Sequence, residues 1–252
     1  MAAFPLMLPG TSRPPKLVVF DLDHTLIACD ATILWTEFLY EKKIVTDPIW
    51  RQYDRDMVKS YAKGVLDIRD FCRKHAGAFR SIPEEKLHAL AQEFAKKKIA
   101  PLIFPDGKKW VKNALQANIP ACVLSASATF IVKPIAKLFG LTDAMGIELA
   151  FKDGFCTGEI VGIPTFQEGK VERLSQRLAE AGIGFEDVLF FTDSRNDLPL
   201  AERAGYTVCV NPDAVLESSA RKNGWKVAEW KLSLRTQMTA QVDAKGVPET
   251  QT

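Results

Sequence analysis

Short runs that are apolar on both faces constrain this chain more than any other feature. Lys16–Asp21 (KLVVFD), Ala121–Leu124 (ACVL), Val188–Thr192 (VLFFT) and Thr207–Val210 (TVCV) are too short for helices and rich in β-branched or aromatic residues. A strand that is hydrophobic on both sides must be covered on both sides, as in a parallel sheet between helices. Helical spacing lies between the runs, with Ile131, Ile135, Leu138 and Phe139 in Phe130–Phe139, and Val171, Leu174, Leu178 and Ala181 in Lys170–Ala181. Gly140 and Gly182 stand where a left-handed residue would stop each helix. The expected fold is α/β, a doubly wound Rossmann-like parallel sheet.

Two segments break the alternation. Between Cys29 and Ala100 the pattern is helical throughout, over Ala31–Glu41, Trp50–Lys63, Ile68–His75 and Pro83–Lys97. Pro83 followed by Glu84 and Glu85 is a helix start, and Lys96–Lys98 a helix end. Within Ile147–Phe166, the segments IELAF and EIVGI flank Asp153-Gly154, a hairpin-turn dipeptide. The expected organisation is a discontinuous core over 14–28 and 101–232, a helical insert over 29–100 and a polar tail over 233–252.

A net charge of +2 in 252 residues offers no electrostatic reason to expect a nucleic acid or a membrane surface as partner. No apolar run reaches the roughly 20 residues of a membrane helix. The opening MAAFPLMLPGTSRPPK lacks a basic start, and Pro5 and Pro9 interrupt it, so it reads as a loose arm rather than a signal peptide. Five widely spaced cysteines without a C-x-x-C pair argue against disulfides and a zinc knuckle. A cytoplasmic location fits reduced thiols.

The first run leads directly into Asp21-Leu22-Asp23-His24-Thr25. Ligands bind beyond the carboxyl ends of strands in a doubly wound sheet, and two buried acids this close repel each other unless a cation offsets them. A polar turn or helix cap would use the same residues. The other runs tip that balance. Val188–Thr192 delivers Asp193, Ser194, Arg195, Asn196 and Asp197. Ala121–Leu124 delivers Ser125, then Ala126 and Ser127 at an expected helix start, where a hydroxyl and free N–H groups would hold an anion. Gly169-Lys170 places a cation at another helix start, which the macrodipole disfavours unless an anion faces it.

DLDHT, the Ser125 after ACVL, the Lys170 of EGK and TDSRND match in order and separation the four motifs of haloacid dehalogenase-like hydrolases, which this chain resembles from about Lys16 to Trp230. The helical insert resembles the type 1 cap of that superfamily. TGEIVG, FQEGKVERL, DSRNDLPL and CVNPD are similar to subfamily IB, near the phosphoserine phosphatases. Thr192, where the family often has Gly or Ser, is the one departure. The resemblance implies a Mg²⁺-dependent phosphatase acting on a small phosphorylated metabolite. It makes Asp21 the nucleophile that becomes an aspartyl phosphate, and Asp23 the acid and then base. Thr25 would steady the loop, Ser125, Ala126 and Lys170 would hold the phosphoryl oxygens, and Asn196 and Asp197 would anchor the phosphate side. Asp21, Asp193 and the Asp23 carbonyl would bind Mg²⁺.

Of the other functions, phosphotransfer stays open, and the remaining three fit the sequence less well. A phosphotransferase would use the same motifs and pass the phosphoryl group to another alcohol. A dehalogenase needs neither Asp23 nor a metal. A non-catalytic relative would usually have lost these acids. A P-type pump needs membrane spans that this sequence lacks.

The resemblance also bears on substrate. Asp30 stands where phosphoserine phosphatases place an acid for the substrate amino group, although it equally suits the cap of a helix beginning at Ala31. Phosphoserine also needs a cation for its carboxylate, for which Arg51, Arg55, Arg69 and Arg73 are candidates. Histidinol phosphate carries a cation and no carboxylate, and is ranked slightly ahead. Trp35, Phe38 and Trp50 would shape a pocket or belong to the core.

Overall fold

The structure, a computed structural model, describes residues 13–232. The arm before residue 13 and the tail from 233 therefore lie outside the described residues. Strand β1 (Leu17–Phe20) sends Val18 and Phe20 to one side of the sheet and Leu17 and Val19 to the other. Strand β6 (Val188–Thr192) repeats this, with Leu189 and Phe191 on the first side and Val188 and Phe190 on the second. The period-2 alternation of two wholly apolar strands forces two cores, one on each side.

The remaining elements supply those cores. In chain order they are α1 (Ala31–Glu41), α2 (Ile49–Lys63), α3 (Ile68–His75), α4 (Glu84–Phe94), α5 (Pro105–Gln116), β2 (Ala121–Ala128), α6 (Thr129–Lys137), β3 (Ala144–Ile147), β4 (Leu149–Lys152), β5 (Phe155–Ile160), α7 (Glu168–Ala181), α8 (Leu198–Ala201), β7 (Tyr206–Val210), α9 (Ala214–Asn223) and β8 (Lys226–Ala228). The main sheet has order β3-β2-β1-β6-β7-β8, with every pairing parallel. The expected doubly wound fold is the observed one. β4 and β5 form the separate hairpin, and Asp153 and Gly154 both take positive φ at its turn.

The first core continues without a break into the helical stretch. Phe20 stacks on Phe191 with centroids 4.7 Å apart, and Trp35 packs against both Phe94 of α4 and Phe130 of α6. Trp35 and Phe38 are therefore core residues, and Trp50 packs over Gly77 and against Tyr53. None of the three lines the main cavity. Aromatic rings at helical spacing are taken by the largest apolar space available.

Two boundaries differ from expectation. β2 runs to Ala128, so Ser125 to Ser127 are extended and the helix begins only at Thr129. The small residues of SASA allow β2 to continue beside β3 past a register shift, and the Thr165 hydroxyl donates to the Ser125 carbonyl at 2.5 Å. The anion site expected from a helix start at Ser125 is thus a strand end. In addition, α6 closes at Lys137, and Gly140 (φ +79) follows it by a short turn rather than capping it. Gly182 (φ +64) does cap α7.

Among the described residues no helix is long and apolar enough to cross a membrane. All five cysteines are free thiols and four of them are buried.

Candidate active site

The Asp21 N–H donates to the Phe191 carbonyl at 2.9 Å, so Asp21 is still held in the sheet ladder. The chain then turns sharply. The Leu22 carbonyl accepts from the N–H groups of Thr25, Leu26 and Ile27, and His24 takes a left-handed φ of 57°. This turn returns Asp23 to the same side as Asp21. The Asp23 carboxylate accepts from Ala31 N–H at 2.7 Å, from Ser127 Oγ at 2.9 Å and from Ser125 Oγ at 3.2 Å.

Lys170 lies beneath Asp21. It is 1% exposed, and its Nζ donates to Asp21 Oδ1 and Asp197 Oδ2, both at 2.8 Å. The Thr192 hydroxyl fixes Asp197 from the other side at 2.7 Å, which gives the unusual Thr192 a function in the network. Lys170 reaches this position because α7 starts very close to the preceding loop. A Cβ on Gly169 would stand 1.9 Å from the Pro164 carbonyl oxygen. Gly169→Ala is therefore expected to cost about 1–3 kcal/mol of stability through overpacking, read as a lower midpoint in urea with an unchanged slope. A midpoint equal to wild type would show that the loop gives way freely.

The carboxylates are strongly perturbed. Burial raises Asp21, with Lys170 opposing and Asp23 reinforcing the shift. Burial and the nearby Asp30 push Asp23 up to about 6. Burial and then Asp21 raise Asp193 well above the usual range. Burial likewise lifts Asp197 to about 6 against the pull of Lys170. For Lys170 burial alone would lower the pKa, but Asp197 and Asp21 more than reverse this and hold it charged. Crowded buried acids with one buried cation are an arrangement characteristic of functional sites.

Above these acids lies a cavity of about 190 Å³. Its floor is Asp21, Asp23, Ala126, Ser127 and Asp193, and its roof is Met57, Tyr61, Leu66 and Phe71 from α2, α3 and their link. Asp30 lines it while its carboxylate also caps α1 by accepting from Ile33 N–H at 3.0 Å. The cap and the cavity roles thus coexist. Among the described residues no arginine or lysine lines this cavity. Arg51 is taken by Glu37 and Arg55 by Gln52.

The other expected residues stand around this floor. Thr25 Oγ1 donates to Asp193 Oδ1 at 3.3 Å. Asn196 turns away from the cavity, donating to the Tyr61 carbonyl at 3.0 Å and accepting from Gln167, so it ties the end of α2 to the sheet. Sequence reasoning assigns no role to Tyr61, Thr165 or Gln167. They carry no motif signal, because their positions depend on how α2 and the loop before α7 meet the sheet.

The family model of the haloacid dehalogenase-like hydrolases matches residues 18–202. The chain belongs to this family. A histidinol-phosphatase of Neisseria meningitidis is 36% identical over 220 residues, covering 86% of this chain and 99% of the relative. A Bordetella pertussis protein of unknown function has a solved structure with a TM-score of 0.76 and 32% identity, covering 84% of this chain and 96% of that one. A phosphoserine phosphatase solved as a phospho-aspartyl intermediate analogue shares the fold, with a TM-score of 0.64 at 21% identity, covering 90% and 99% of the two chains. This member of the family is an enzyme of the phosphatase class.

Proposed function

We propose that this phosphatase hydrolyses a small cationic phosphomonoester, histidinol phosphate before phosphoserine, through an aspartyl phosphate on Asp21. The observation that carries the substrate reading is the charge of the cavity wall. Asp30 offers a buried acid that a bound cation would hold ionised, and among the described residues no arginine or lysine offers a counter-charge to a carboxylate. A phosphoserine carboxylate buried there would lose its hydration unpaired. The 36% identical relative named histidinol-phosphatase agrees with this choice.

The residues can then be assigned. Asp21 attacks phosphorus, forming an O–P bond as the P–O bond to the leaving alcohol breaks. Asp23, with its carboxyl lifted to about 6, gives its proton to the departing oxygen. It then takes a proton from the water that attacks the aspartyl phosphate, and phosphate leaves as the Asp21–phosphorus bond opens. Lys170 and Ser125 offset charge on the phosphoryl oxygens, with the backbone at Ala126 beside them. Thr25 and Asp197 keep Asp193 and Lys170 in place, and Asn196 steadies the approach from α2. The helices of 29–100 act as a cap that excludes water from this chemistry.

A divalent cation fits the floor. Asp21, Asp23, Asp193 and Asp197 are four buried or largely buried acids, and Lys170 pairs with two of them, Asp21 and Asp197. All-oxygen ligation by few protein groups suits Mg²⁺. The side chains of Asp21 and Asp193 and the Asp23 carbonyl would hold it. Among the described residues no three His, Cys, Asp or Glu side chains converge on a metal, and this assignment needs only two. When bound, Mg²⁺ would neutralise charge between Asp21 and the incoming phosphate.

A phosphate-release screen over a metabolite panel tests this reading. We expect turnover that depends on Mg²⁺, and at least about tenfold higher kcat/KM on histidinol phosphate than on phosphoserine, the scale of one unpaired buried charge. Equal rates in EDTA would sink the metal assignment. Faster transfer to an added alcohol than to water would favour a phosphotransferase. Asp30→Ala should raise KM for aminated substrates more than for p-nitrophenyl phosphate, and an equal rise on both would remove Asp30 from recognition.

A further inference from the structure

Three helices each place one residue on the substrate cavity and another one turn behind it. On α1 these are Thr32 and Thr36, on α3 Phe71 and His75, and on α2 Met57 and Asp54. Residues three or four apart share a helix face, so Thr36, His75 and Asp54 form a polar layer behind the cavity wall. His75 Nε2 lies 3.0 Å from Thr36 Oγ1 and 3.7 Å from Asp54 Oδ1, and the His75 ring stacks on Phe71 with centroids 5.1 Å apart. Asp54 is 4% exposed, and no donor is well aligned on either carboxylate oxygen; the Thr36 hydroxyl beside it only partly opposes the effect of burial. Such a group costs the fold free energy. The phosphoryl chemistry at Asp21 makes no use of it.

We propose that Asp54 is a specificity-determining residue, a buried negative charge positioned by His75 that favours a cationic substrate group across the wall of Met57, Thr32 and Phe71. The proposal rests on the cationic-substrate reading above and extends it from Asp30 to a second acid. The charged and titratable groups around Asp54 are Asp30 and Glu37 from α1, Arg55 on its own helix and His75 from α3. Glu37 is engaged by Arg51 and Arg55 by Gln52. Burial pushes Asp54 up to about 7 and His75 down to about 4. The pair is therefore uncharged between these values. It becomes negative as pH rises through about 7, so attraction for a cation grows in that direction.

The test compares O-phosphoethanolamine with glycerol 3-phosphate, matched substrates whose amine and hydroxyl groups do not titrate between about pH 6 and 8. In the wild type the preference for the cationic substrate should increase by about fivefold over that range. Asp54→Asn should raise KM for O-phosphoethanolamine about tenfold at the upper end, the scale of one charge acting over about 12 Å at an effective dielectric of roughly 20. It should leave KM for glycerol 3-phosphate within about twofold, leave kcat on both unchanged and flatten the pH dependence. Thermal stability should hold or rise, because an unpaired buried charge is removed. Asp54→Leu, which removes the charge and both polar atoms, should give the same KM split and serves if the asparagine variant does not fold. An equal KM change on both substrates, or none on O-phosphoethanolamine, would overturn the role of Asp54. A wild-type enzyme without preference between the two would instead overturn the cationic-substrate reading and this proposal with it.

Discussion

Asp21→Asn is expected to lower phosphate release by at least about 10⁴-fold in kcat, the scale seen when a nucleophile is removed from a cooperating catalytic group. An amide nitrogen cannot supply the attacking lone pair that a carboxylate does, and the neighbouring Asp23 carboxylate is held by Ala31, Ser125 and Ser127. The fold should survive. Lys170 keeps Asp197 as partner at 2.8 Å, and one of several mutually repelling buried acids is gone. The melting temperature should move by only a few degrees. Steady-state release of phosphate together with a thermal melt checks both parts. Activity within about tenfold of wild type would refute the covalent mechanism, whereas loss of folding would leave Asp21 a structural residue first.

Lys170→Met should have the largest effect on stability. It leaves Asp21 and Asp197, both buried, facing each other without the cation that bridges them. Removing one partner of a buried ion pair costs about 3–5 kcal/mol. For a chain of this size each kcal/mol shifts the midpoint by about 2–4 °C, so the expected fall is about 10 °C. Activity should be lost as well. The double variant Lys170→Met with Asp197→Asn should recover part of the stability and none of the activity, because it removes the unpaired charge but not the need for a cation at the phosphoryl group. No drop in the single variant would mean that Asp21 and Asp197 are neutralised by protons rather than by Lys170.

The chemistry at Asp21 is legible in the amino-acid sequence for a local reason. Each motif follows its apolar strand directly, and a parallel sheet aligns strand ends by backbone pairing alone. Phe20 pairs with Val123 and Phe191, so Asp21, Ser125 and Asp193 must share one edge. Asp153-Gly154 is legible for the same reason, since a hairpin turn is decided by the φ values its own residues tolerate. The expectation of a helix start at Ser125 fails because the choice between strand and helix over SASA falls to β3 and Thr165, which are distant in sequence.

The sequence by itself determined the sheet, the order of the acids along its edge and hence the class of chemistry, because strand periodicity and backbone pairing act over a few residues. Tertiary structure alone decided what surrounds that chemistry. Lys170 meets Asp21 across 149 positions, arginines of the helical stretch turn outward, and Asp54 is buried beside His75. Helix periodicity says which residues share a face. Only the packing of three helices against one another and the sheet says which face is shown to the substrate.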